Sequence, residues 1–267
     1  MSLEKDKTVT DQMGREVQVP LRPSRIVSLV PSQTELLFDL GLDDEIVGVT
    51  KFCIHPTDRV ARKRTVGGTK QFRFDVIEQL QPDLILGNKE ENYPEGIAQL
   101  AASYPMWLSD IYTLNDALVM IRQVGELVAK PAAASQLTEQ ITNNFAQLRP
   151  LVRPLRIGYF IWQKPFMAAG QHTFIHDMLA RCGFANAFAT VGNGRYPELT
   201  SQQIRDAKLD AIFLSSEPFP FAEKHRQAVS DMFPGTAVHL VDGELFSWYG
   251  SRLLKAPAYF QQLIDRL

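Results

Sequence analysis

The sequence predicts an α/β protein in which two similar lobes with mostly parallel sheets are joined by one long helix. Three observations lead to this prediction. Short β-branched runs alternate with helical patterns along nearly the whole chain, which is typical of parallel sheets covered by helices. Two segments recur at nearly the same spacing in the two halves. A long helical pattern separates those halves.

The first strand and helix are predicted from "RIVSLVPSQTELLFDLG" (residues 25–41). Its β-branched run ends at Pro31, which has no amide hydrogen for a β-ladder. Ser32 precedes Glu35 by three residues, which is the spacing of a capping box at a helix N-terminus. Apolar residues at helical spacing follow, and Gly41 is a suitable stop. We therefore expect a strand, a tight turn and a helix.

The internal repeat joins two pairs of segments. "RIVSLV" from Arg25 resembles "RIGYFI" from Arg156, and "LQPDLIL" around Asp83 resembles "AKLDAIF" around Asp210. The offsets are 131 residues from Arg25 to Arg156 and 127 residues from Asp83 to Asp210. Two matches at similar offsets indicate two lobes in tandem. The alternative is that ordinary strand–helix units resemble one another by convergence.

A helical region separates the halves. Apolar residues recur at helical spacing from Leu114 to Val128, Pro131 interrupts, and a second pattern runs to Pro150. About eighteen residues would form a rod of roughly 27 Å. We expect lobes at residues 1–130 and 152–267, with the linking helix at 131–151. One helix that crosses once is a stiff joint, so we expect little lobe closure on ligand binding.

Composition limits the function classes. The 267 residues contain 45% hydrophobic and 22% charged residues, as in ordinary globular proteins. A net charge of −2 gives no reason to expect nucleic acid. No apolar run approaches the 18 or so residues of a membrane span. The N-terminus lacks the apolar core of a signal peptide, so a signal was removed or Met1 is a native cytoplasmic start. Cys53 and Cys182 are expected to be free core thiols, with one disulfide as the alternative.

Aromatic residues concentrate in the loops that follow the predicted strands. Ligands of parallel sheets bind at the carboxyl ends of the strands, where these loops gather. A cleft lined by rings suits a large, flat, partly apolar ligand. The alternative is that rings fill the lobe cores from the loop side. The loop aromatics are Phe52, Tyr93, Trp162, Phe166, Tyr196, Phe219, Phe221, Phe246, Trp248 and Tyr249.

Catalytic and metal-binding patterns are few. The sequence has no nucleophile elbow, no phosphate-binding loop and no dinucleotide fingerprint after a strand. His172 and His176 have a spacing that could bind a metal from one helix face, but no third ligand is nearby. We interpret them as surface or capping histidines. Asp75, Glu78 and Glu198 are isolated carboxylates, so we expect neither catalysis nor a metal site.

Several segments, taken in order, resemble a known family. They are "RIVSLVPSQTELLFDLG", "IVGVTKFCIHP", "VGGT", "FDVIEQLQPDLIL", "YPELT" and "SWYGSR", after an opening "VTDQMGREVQVP". Together they resemble the helical-backbone substrate-binding proteins that deliver vitamin B12, haem and ferric siderophores to ABC importers. The resemblance implies two Rossmann-like lobes and a backbone helix near residues 132–149. It also implies a ligand held between the lobes without chemistry, and no intrinsic cofactor.

The nearest pattern is that of the cobalamin-binding members. The resemblance carries their ligand-facing positions onto seven residues of this sequence. Thr69 and Asn88 stand where cobalamin binders can carry tryptophans, so haem and ferric siderophores stay open as ligands. The implied ligand-binding residues are Phe52, Thr69, Asn88, Trp162, Phe166, Tyr196 and Trp248.

The family docks on its importer through one carboxylate on each lobe. Asp75 matches the first of these positions. The second falls on Gln202, which is neutral, and the neighbouring Glu198 could substitute for it. The docking residues implied by the resemblance are therefore Asp75 and Gln202, with an unequal charge on the two lobes.

The leading hypothesis is a monomeric, non-catalytic binding protein that holds a corrinoid or another metal chelate for delivery to an ABC importer. The alternative is an intracellular enzyme or cofactor-handling protein on the same two-lobed scaffold. If a native signal was removed, the protein is periplasmic or membrane-anchored outside the cytoplasm. If Met1 is the native start, it is cytoplasmic.

Overall fold

The computed structural model describes residues 6–192 and 194–267. Residues 1–5 lie outside the described residues, as does the central residue of the "GNG" sequence at Gly192–Gly194, which is typical of a turn. The chain divides into two compact units. Unit 1 comprises Met1–Ile111, Asn115–Thr142 and Tyr249–Arg252, and unit 2 comprises Tyr112–Leu114, Asn143–Trp248 and Leu253–Leu267.

Unit 1 contains a parallel sheet of five strands, in the order β5-β4-β3-β8-β9. Strands β1 and β2 form an antiparallel hairpin at the start of the described residues, and β6 pairs with β7 in a second hairpin. The strands are β1 (Asp6–Thr10), β2 (Glu16–Pro20), β3 (Ile26–Ser28), β4 (Ile46–Val49), β5 (Arg64–Thr65), β6 (Gly67–Gly68), β7 (Gln71–Phe72), β8 (Leu84–Asn88) and β9 (Met106–Ser109).

Six helices accompany these strands. The central strands β3 and β8 are buried along their whole length, as expected for a parallel sheet that is covered on both faces. The predicted alternation of strands and helices is therefore confirmed. The helices are α1 (Pro31–Asp39), α2 (Thr57–Val60), α3 (Phe74–Leu80), α4 (Pro94–Ala101), α5 (Leu114–Leu127) and α6 (Pro131–Ala146).

The turn into α1 differs from the predicted capping box. The N-cap residue is Val30, and no side chain caps the helix. The carboxylate of Glu35 instead accepts hydrogen bonds from the Arg252 guanidinium at 2.7 and 2.9 Å. The capping-box prediction is wrong because an arginine 217 residues away in the sequence competes successfully for the same carboxylate.

The chain passes between the two units at the linking helix and again at a short segment later in the sequence. The linking helix α6 ends at Ala146, and Thr142 is its last residue in unit 1. The chain later re-enters unit 1 at Tyr249–Arg252, which we call the return segment. This segment therefore connects the two units in addition to the linking helix. The domain bounds of 1–130, 131–151 and 152–267 stay a prediction.

The contact between α5 and α6 depends on Gly125. A Cβ atom at this position would lie 2.2 Å from the Cβ of Ala134. We expect Gly125→Ala to lower the free energy of unfolding by about 1–3 kcal/mol through overpacking, although alanine favours a helix more than glycine does. Urea unfolding measures this change. Ser135→Ala, on the exposed face of α6, is the control and should be neutral or slightly stabilising; equal stability of Gly125→Ala would contradict the close packing.

Unit 2 contains a mixed sheet of six strands. Strands β10, β14 and β15 are parallel neighbours, and β12 also pairs with β10 in parallel. The sheet departs from a purely parallel one because β11 and β13 add an antiparallel extension at one edge. The strands are β10 (Arg156–Trp162), β11 (Phe166–Ala168), β12 (Ala185–Asn186), β13 (Glu198–Leu199), β14 (Ala211–Ser215) and β15 (Ala237–Val241).

Five helices and one short 3-10 helix (Ser251–Leu254) complete the described fold. The spacing of Thr200 and Gln203 in the sequence predicts a capping box, and this box is present at the start of α8. No helix in residues 6–192 and 194–267 combines the length and apolarity needed to cross a membrane. The helices are α7 (Phe174–Arg181), α8 (Ser201–Asp206), α9 (Glu223–Met232), α10 (Gly243–Ser247) and α11 (Ala256–Ile264).

The internal repeat corresponds to one local structure that occurs once in each unit. In unit 1, the Asp83 carboxylate accepts from the Arg25 amide, and the Arg25 side chain donates to the carbonyl of Leu80 at the end of α3. In unit 2, Asp210 and Arg156 make the matching pair, and Arg156 donates to a carbonyl that follows α8. The sequence repeat is therefore a structural repeat.

Candidate functional site

The candidate site comprises loops at the carboxyl ends of parallel strands, where α/β proteins bind ligands. We describe it separately in each unit. The unit 1 face consists of the loops after β4 and β8 and the β6–β7 hairpin. The unit 2 face consists of the loops after β10, β14 and β15.

Phe52 is the prominent side chain of the unit 1 face. It follows β4 and is 50% exposed. Its ring lies over Gly68 of the β6–β7 hairpin, where a Cβ atom would be 3.2 Å from the ring, and the Lys51 ammonium lies 5.0 Å from the ring centroid. The half-buried Thr69 continues this hairpin. The local backbone therefore supports the ring from below and leaves it accessible.

Asn88 is buried and forms hydrogen bonds within unit 1. Its amide group donates to the Ser109 hydroxyl at 2.9 Å, and its side-chain oxygen accepts from the amides of Glu90 and Glu91. The Asn92 side chain in turn accepts from the backbone N–H of Asn88 and donates to the backbone carbonyl of Thr69. These contacts shape the loop after β8 and use the bonding capacity of Asn88 inside the unit.

This polar network was missed by the sequence reading. Gln33, at the start of α1, donates to the same Ser109 hydroxyl at 2.5 Å and is fully buried. Buried polar side chains that bond to one another fix a loop more sharply than apolar packing does. The only sequence signal was the occurrence of polar residues next to strand ends, which is too common to identify a network.

Trp162 is the prominent side chain of the unit 2 face. It is the last residue of β10 and is 40% exposed. The ring of Phe219 supports it in an edge-to-face contact with centroids 5.4 Å apart. Phe166, by contrast, packs against Phe160 and Phe233 at the margin of the unit 2 core. The structure thus exposes one of these two predicted residues and half-buries the other.

Tyr196 lies in a segment that is fixed by backbone contacts. The carbonyl groups of Arg195 and Pro197 accept from the amides of Gly170 and Ala168. The Tyr196 side chain is half-buried. Its segment leads directly into β13 at the sheet edge, and Tyr196 stays a predicted ligand contact.

Trp248 is buried, and its indole N–H is turned to a carboxylate. The N–H donates to the two oxygens of Glu217 at 3.0 and 3.2 Å, and the Ser247 hydroxyl donates to the same carboxylate. Burial raises the pKa of Glu217, and the carboxylates of Glu244 and Asp242 raise it further. Sequence reasoning did not identify Glu217, because its partners are about thirty residues away in the sequence.

His176 and Cys182 lie in unit 2, and Cys53 lies in unit 1. His176 lies in the first turn of α7, where its ring contacts the Asn186 amide at 3.2 Å and burial lowers its pKa. Within the described ranges, no group of three potential metal ligands is found. Cys53 and Cys182 are both buried and free, as expected, and burial raises the pKa of Cys182 to about 12. Burial raises the pKa of both thiols, which disfavours the reactive thiolate form.

The two predicted docking residues occupy equivalent places in their units. Asp75 is the second residue of α3 and Gln202 the second residue of α8, and both side chains are exposed. Their offset of 127 residues equals that of the repeated aspartates. Gln202 donates to Asp206 at 2.8 Å. The exposed Glu198 lies in β13, shortly before α8.

Comparisons with known proteins agree with this architecture. A model of the family described as periplasmic binding protein matches residues 26–234. A vitamin B12-binding protein of Pectobacterium carotovorum subsp. carotovorum (strain PC1) is 25% identical over 253 residues, which cover 92% of this chain and 88% of the relative. The uncharacterized ABC transporter substrate-binding lipoprotein YvrC of Bacillus subtilis (strain 168) is 25% identical over 261 residues, covering 93% of this chain and 82% of the relative.

A solved structure shares the fold. The periplasmic heme-binding protein RhuT from Roseiflexus sp. RS-1, in apo form, superposes with a TM-score of 0.76 and 23% sequence identity. The match covers 90% of this chain and 99% of that one. At this identity the likeness concerns the fold, and it agrees with the α/β architecture described above.

Proposed function

Because the chain belongs to the periplasmic binding protein family, we propose that it binds a flat, largely apolar metal chelate through exposed aromatic rings. Phe52 is the proposed stacking ring of the unit 1 face, and Trp162 is that of the unit 2 face. Members of this family are substrate-binding components of transporters and not enzymes. The chain is accordingly a non-catalytic binding protein, and the alternative of an intracellular enzyme on the same scaffold is not favoured. The chelate is cargo and not an intrinsic cofactor.

One observation carries the proposal. Among the exposed large apolar side chains of residues 6–192 and 194–267, two are aromatic, and they are Phe52 and Trp162. Each lies at the carboxyl end of a parallel strand, one in each unit. Exposed rings that are held in place by their own unit are unfavourable in water, unless a ligand covers them.

We assign the predicted site residues according to their accessibility. Phe52, Thr69, Trp162 and Tyr196 are the proposed ligand contacts, because each retains exposed surface in its unit. The remaining predicted residues act through the shape of the segments that carry them, since their side chains pack or bond inside a unit. They are Asn88, Phe166 and Trp248.

The ligand class follows from ring chemistry and from the relatives. A corrinoid, a haem and a ferric siderophore all present a broad chelate surface to an aromatic side chain, and relatives are described as binding vitamin B12 or heme. We propose a corrinoid first, because the sequence pattern is nearest to that of the cobalamin binders. Thr69 and Asn88 offer no ring, so stacking relies on fewer aromatics.

The test is retention of a chelate by the purified protein. The protein is incubated in turn with cyanocobalamin, haemin and ferric enterobactin, desalted, and examined by absorbance spectroscopy. We expect one class to be retained near one equivalent and to be lost from the Phe52→Ala, Trp162→Ala double variant. Absence of retention for every chelate, with a native circular dichroism spectrum, would overturn the proposal.

The proposed partner is an ABC importer, and the proposed place of action is outside the cytoplasm. The relative YvrC is described as a substrate-binding lipoprotein of an ABC transporter. We further propose that the protein acts as a monomer and that Asp75 on α3 contacts the importer. Gln202, at the equivalent place on α8, makes the second contact weaker.

Gln202→Glu is expected to strengthen binding to the cognate importer. A carboxylate forms charge-assisted bonds to arginine that are roughly twice as strong as neutral ones, so a severalfold gain in affinity is expected. The new charge lies near Asp206, but Arg205 is also adjacent. Pull-down with the detergent-solubilised importer measures the gain. Gln227→Glu on α9 is the control, and equal binding of both variants would remove Gln202 from the docking surface.

A further inference from the structure

Glu217 is a half-buried carboxylate whose hydrogen-bond donors are all neutral. It accepts from the Ser247 hydroxyl and from the Trp248 indole, and the charged groups that act on it are the carboxylates of Glu244 and Asp242. Among the described residues, no cation contacts it. A carboxylate that is partly withdrawn from water and has no cation loses hydration without gaining a charged partner, so its place here calls for an explanation.

The acceptor chemistry of a carboxylate explains why a glutamate occupies this position. A carboxylate has two oxygens and donates nothing, so it can accept the indole N–H and the hydroxyl together. A glutamine at the same place would have one acceptor oxygen and would turn an N–H₂ group toward one of these donors. Glu217 therefore ties the segment at the end of α10 to its own loop, residues 215–221.

The base of the 215–221 loop interlocks with the start of α10. The Ser215 hydroxyl donates to the Glu217 carbonyl at 2.6 Å and accepts from the Tyr159 hydroxyl. The Gly243 amide donates to the Ser216 hydroxyl at 2.9 Å. A Cβ atom at Gly243 would lie 2.6 Å from the Cγ of Glu217, so the two segments are in direct contact.

The far part of the same loop reaches the proposed ligand contact. The amide of Phe219 donates to the carbonyl of Ile161, and the Phe219 ring supports the exposed ring of Trp162. Phe219 also packs against Phe221, which lies in the unit 2 core. The orientation of Trp162 thus depends on where the loop holds Phe219.

We propose that Glu217 is a positioning residue of the unit 2 face: by tying the 215–221 loop to Ser247 and Trp248, it fixes Phe219 against Trp162. The inference rests on the proposed function, since Trp162 is the ligand contact that it places. Glu217 itself touches neither the Trp162 ring nor, in this proposal, the ligand.

The test uses fluorine NMR of the ligand-free protein labelled with 5-fluorotryptophan. The chain has three tryptophans, and single Trp→Phe variants assign the resonances. In Glu217→Gln we expect the Trp248 and Trp162 resonances to shift or broaden, whereas that of Trp107 in the unit 1 core stays in place. Phe219→Leu should shift Trp162 without Trp248, and Glu217→Gln should add little at Trp162 in that background.

A role that is only local to Trp248 would leave the Trp162 resonance unchanged in Glu217→Gln, and this result would overturn the proposal. If Glu217→Gln does not fold, Ser247→Ala removes one donor and is expected to give the same pattern more weakly. Asp231→Asn, which removes an exposed carboxylate of α9, is the matched control and should leave all three resonances unchanged.

The second readout is affinity for cyanocobalamin or haemin, whichever the wild-type protein retains. We expect Glu217→Gln to weaken binding by about fivefold, as for the loss of one edge-to-face ring contact. Unchanged affinity would overturn the placement of Trp162 by Glu217. Because the NMR measurement needs no ligand, a protein that shows the resonance pattern but retains no chelate would reject the proposed function and not the link from Glu217 to Trp162.

Discussion

Arg252→Ala is expected to lower the free energy of unfolding by about 3 kcal/mol, because it leaves the buried Glu35 carboxylate without its partner. The two side chains are each 11% exposed, and their bidentate contact measures 2.7 and 2.9 Å. For a chain of this size the melting temperature should fall by roughly 6–12 °C. Arg64→Ala, which removes an exposed arginine in β5, is the control and should change it little.

The free energy of unfolding that Arg252→Ala loses should be larger at high pH than at low pH. Burial raises the pKa of Glu35 more than Arg252 lowers it, so the folded protein binds a proton more readily than the unfolded chain does. Removing Arg252 raises this pKa further. The deficit of Arg252→Ala should therefore be largest at pH 8 and should narrow as the pH falls toward the ordinary glutamate range near about 4.3. Chemical denaturation at both pH values measures it, and a deficit that grows on acidification would contradict the assignment.

Trp162→Ala is expected to weaken binding of the retained chelate by about thirtyfold with little loss of stability. Losing roughly 80 Å² of contact at about 25 cal/mol per Å² corresponds to about 2 kcal/mol. Because the ring is 40% exposed, its removal should affect the unit 2 core far less than its ligand. Isothermal titration and thermal melting measure the two effects.

The matched control is Leu240→Ala. Leu240 lies in β15 of the same unit and is 38% exposed, so its removal deletes a comparable apolar surface outside the proposed face. It should leave affinity unchanged. If Trp162→Ala instead lowers the melting temperature and leaves the affinity of the folded protein intact, the ring belongs to the core and the ligand contact must be given up.

Sequence reasoning identified the features that depend on neighbouring residues. The βαβ alternation and the capping box at Thr200 are local patterns, and the structure contains both. It also detected that the pair of Arg25 and Asp83 in unit 1 recurs in unit 2, because each match spans a strand and its flanking residues. Of the loop aromatics, Phe52 and Trp162 are exposed at strand ends, whereas others are buried, as the alternative of core filling predicts. The buried ones are Phe221, Phe246, Trp248 and Tyr249.

The features that it missed depend on partners far apart in the chain. At Ser32 and Glu35 the local spacing suggested a cap, but Arg252 binds the glutamate from 217 residues away. The carboxylate of Glu217 was missed for the same reason. The antiparallel strands β11 and β13 are three and two residues long, and segments so short carry no readable periodicity.

The return segment links the order of synthesis to the order of folding. Three of its side chains are bound by carboxylates of unit 1: Tyr249 by Glu91, Ser251 by Asp39 and Arg252 by Glu35. A Cβ atom at Gly250 would lie 2.5 Å from the carbonyl oxygen of Ser32, so the backbone itself is in close contact there. On the ribosome these four residues are made only after residues 143–248 of unit 2. Unit 1, although most of it is encoded earlier, therefore cannot reach its final stability until that stretch of unit 2 has also been synthesised.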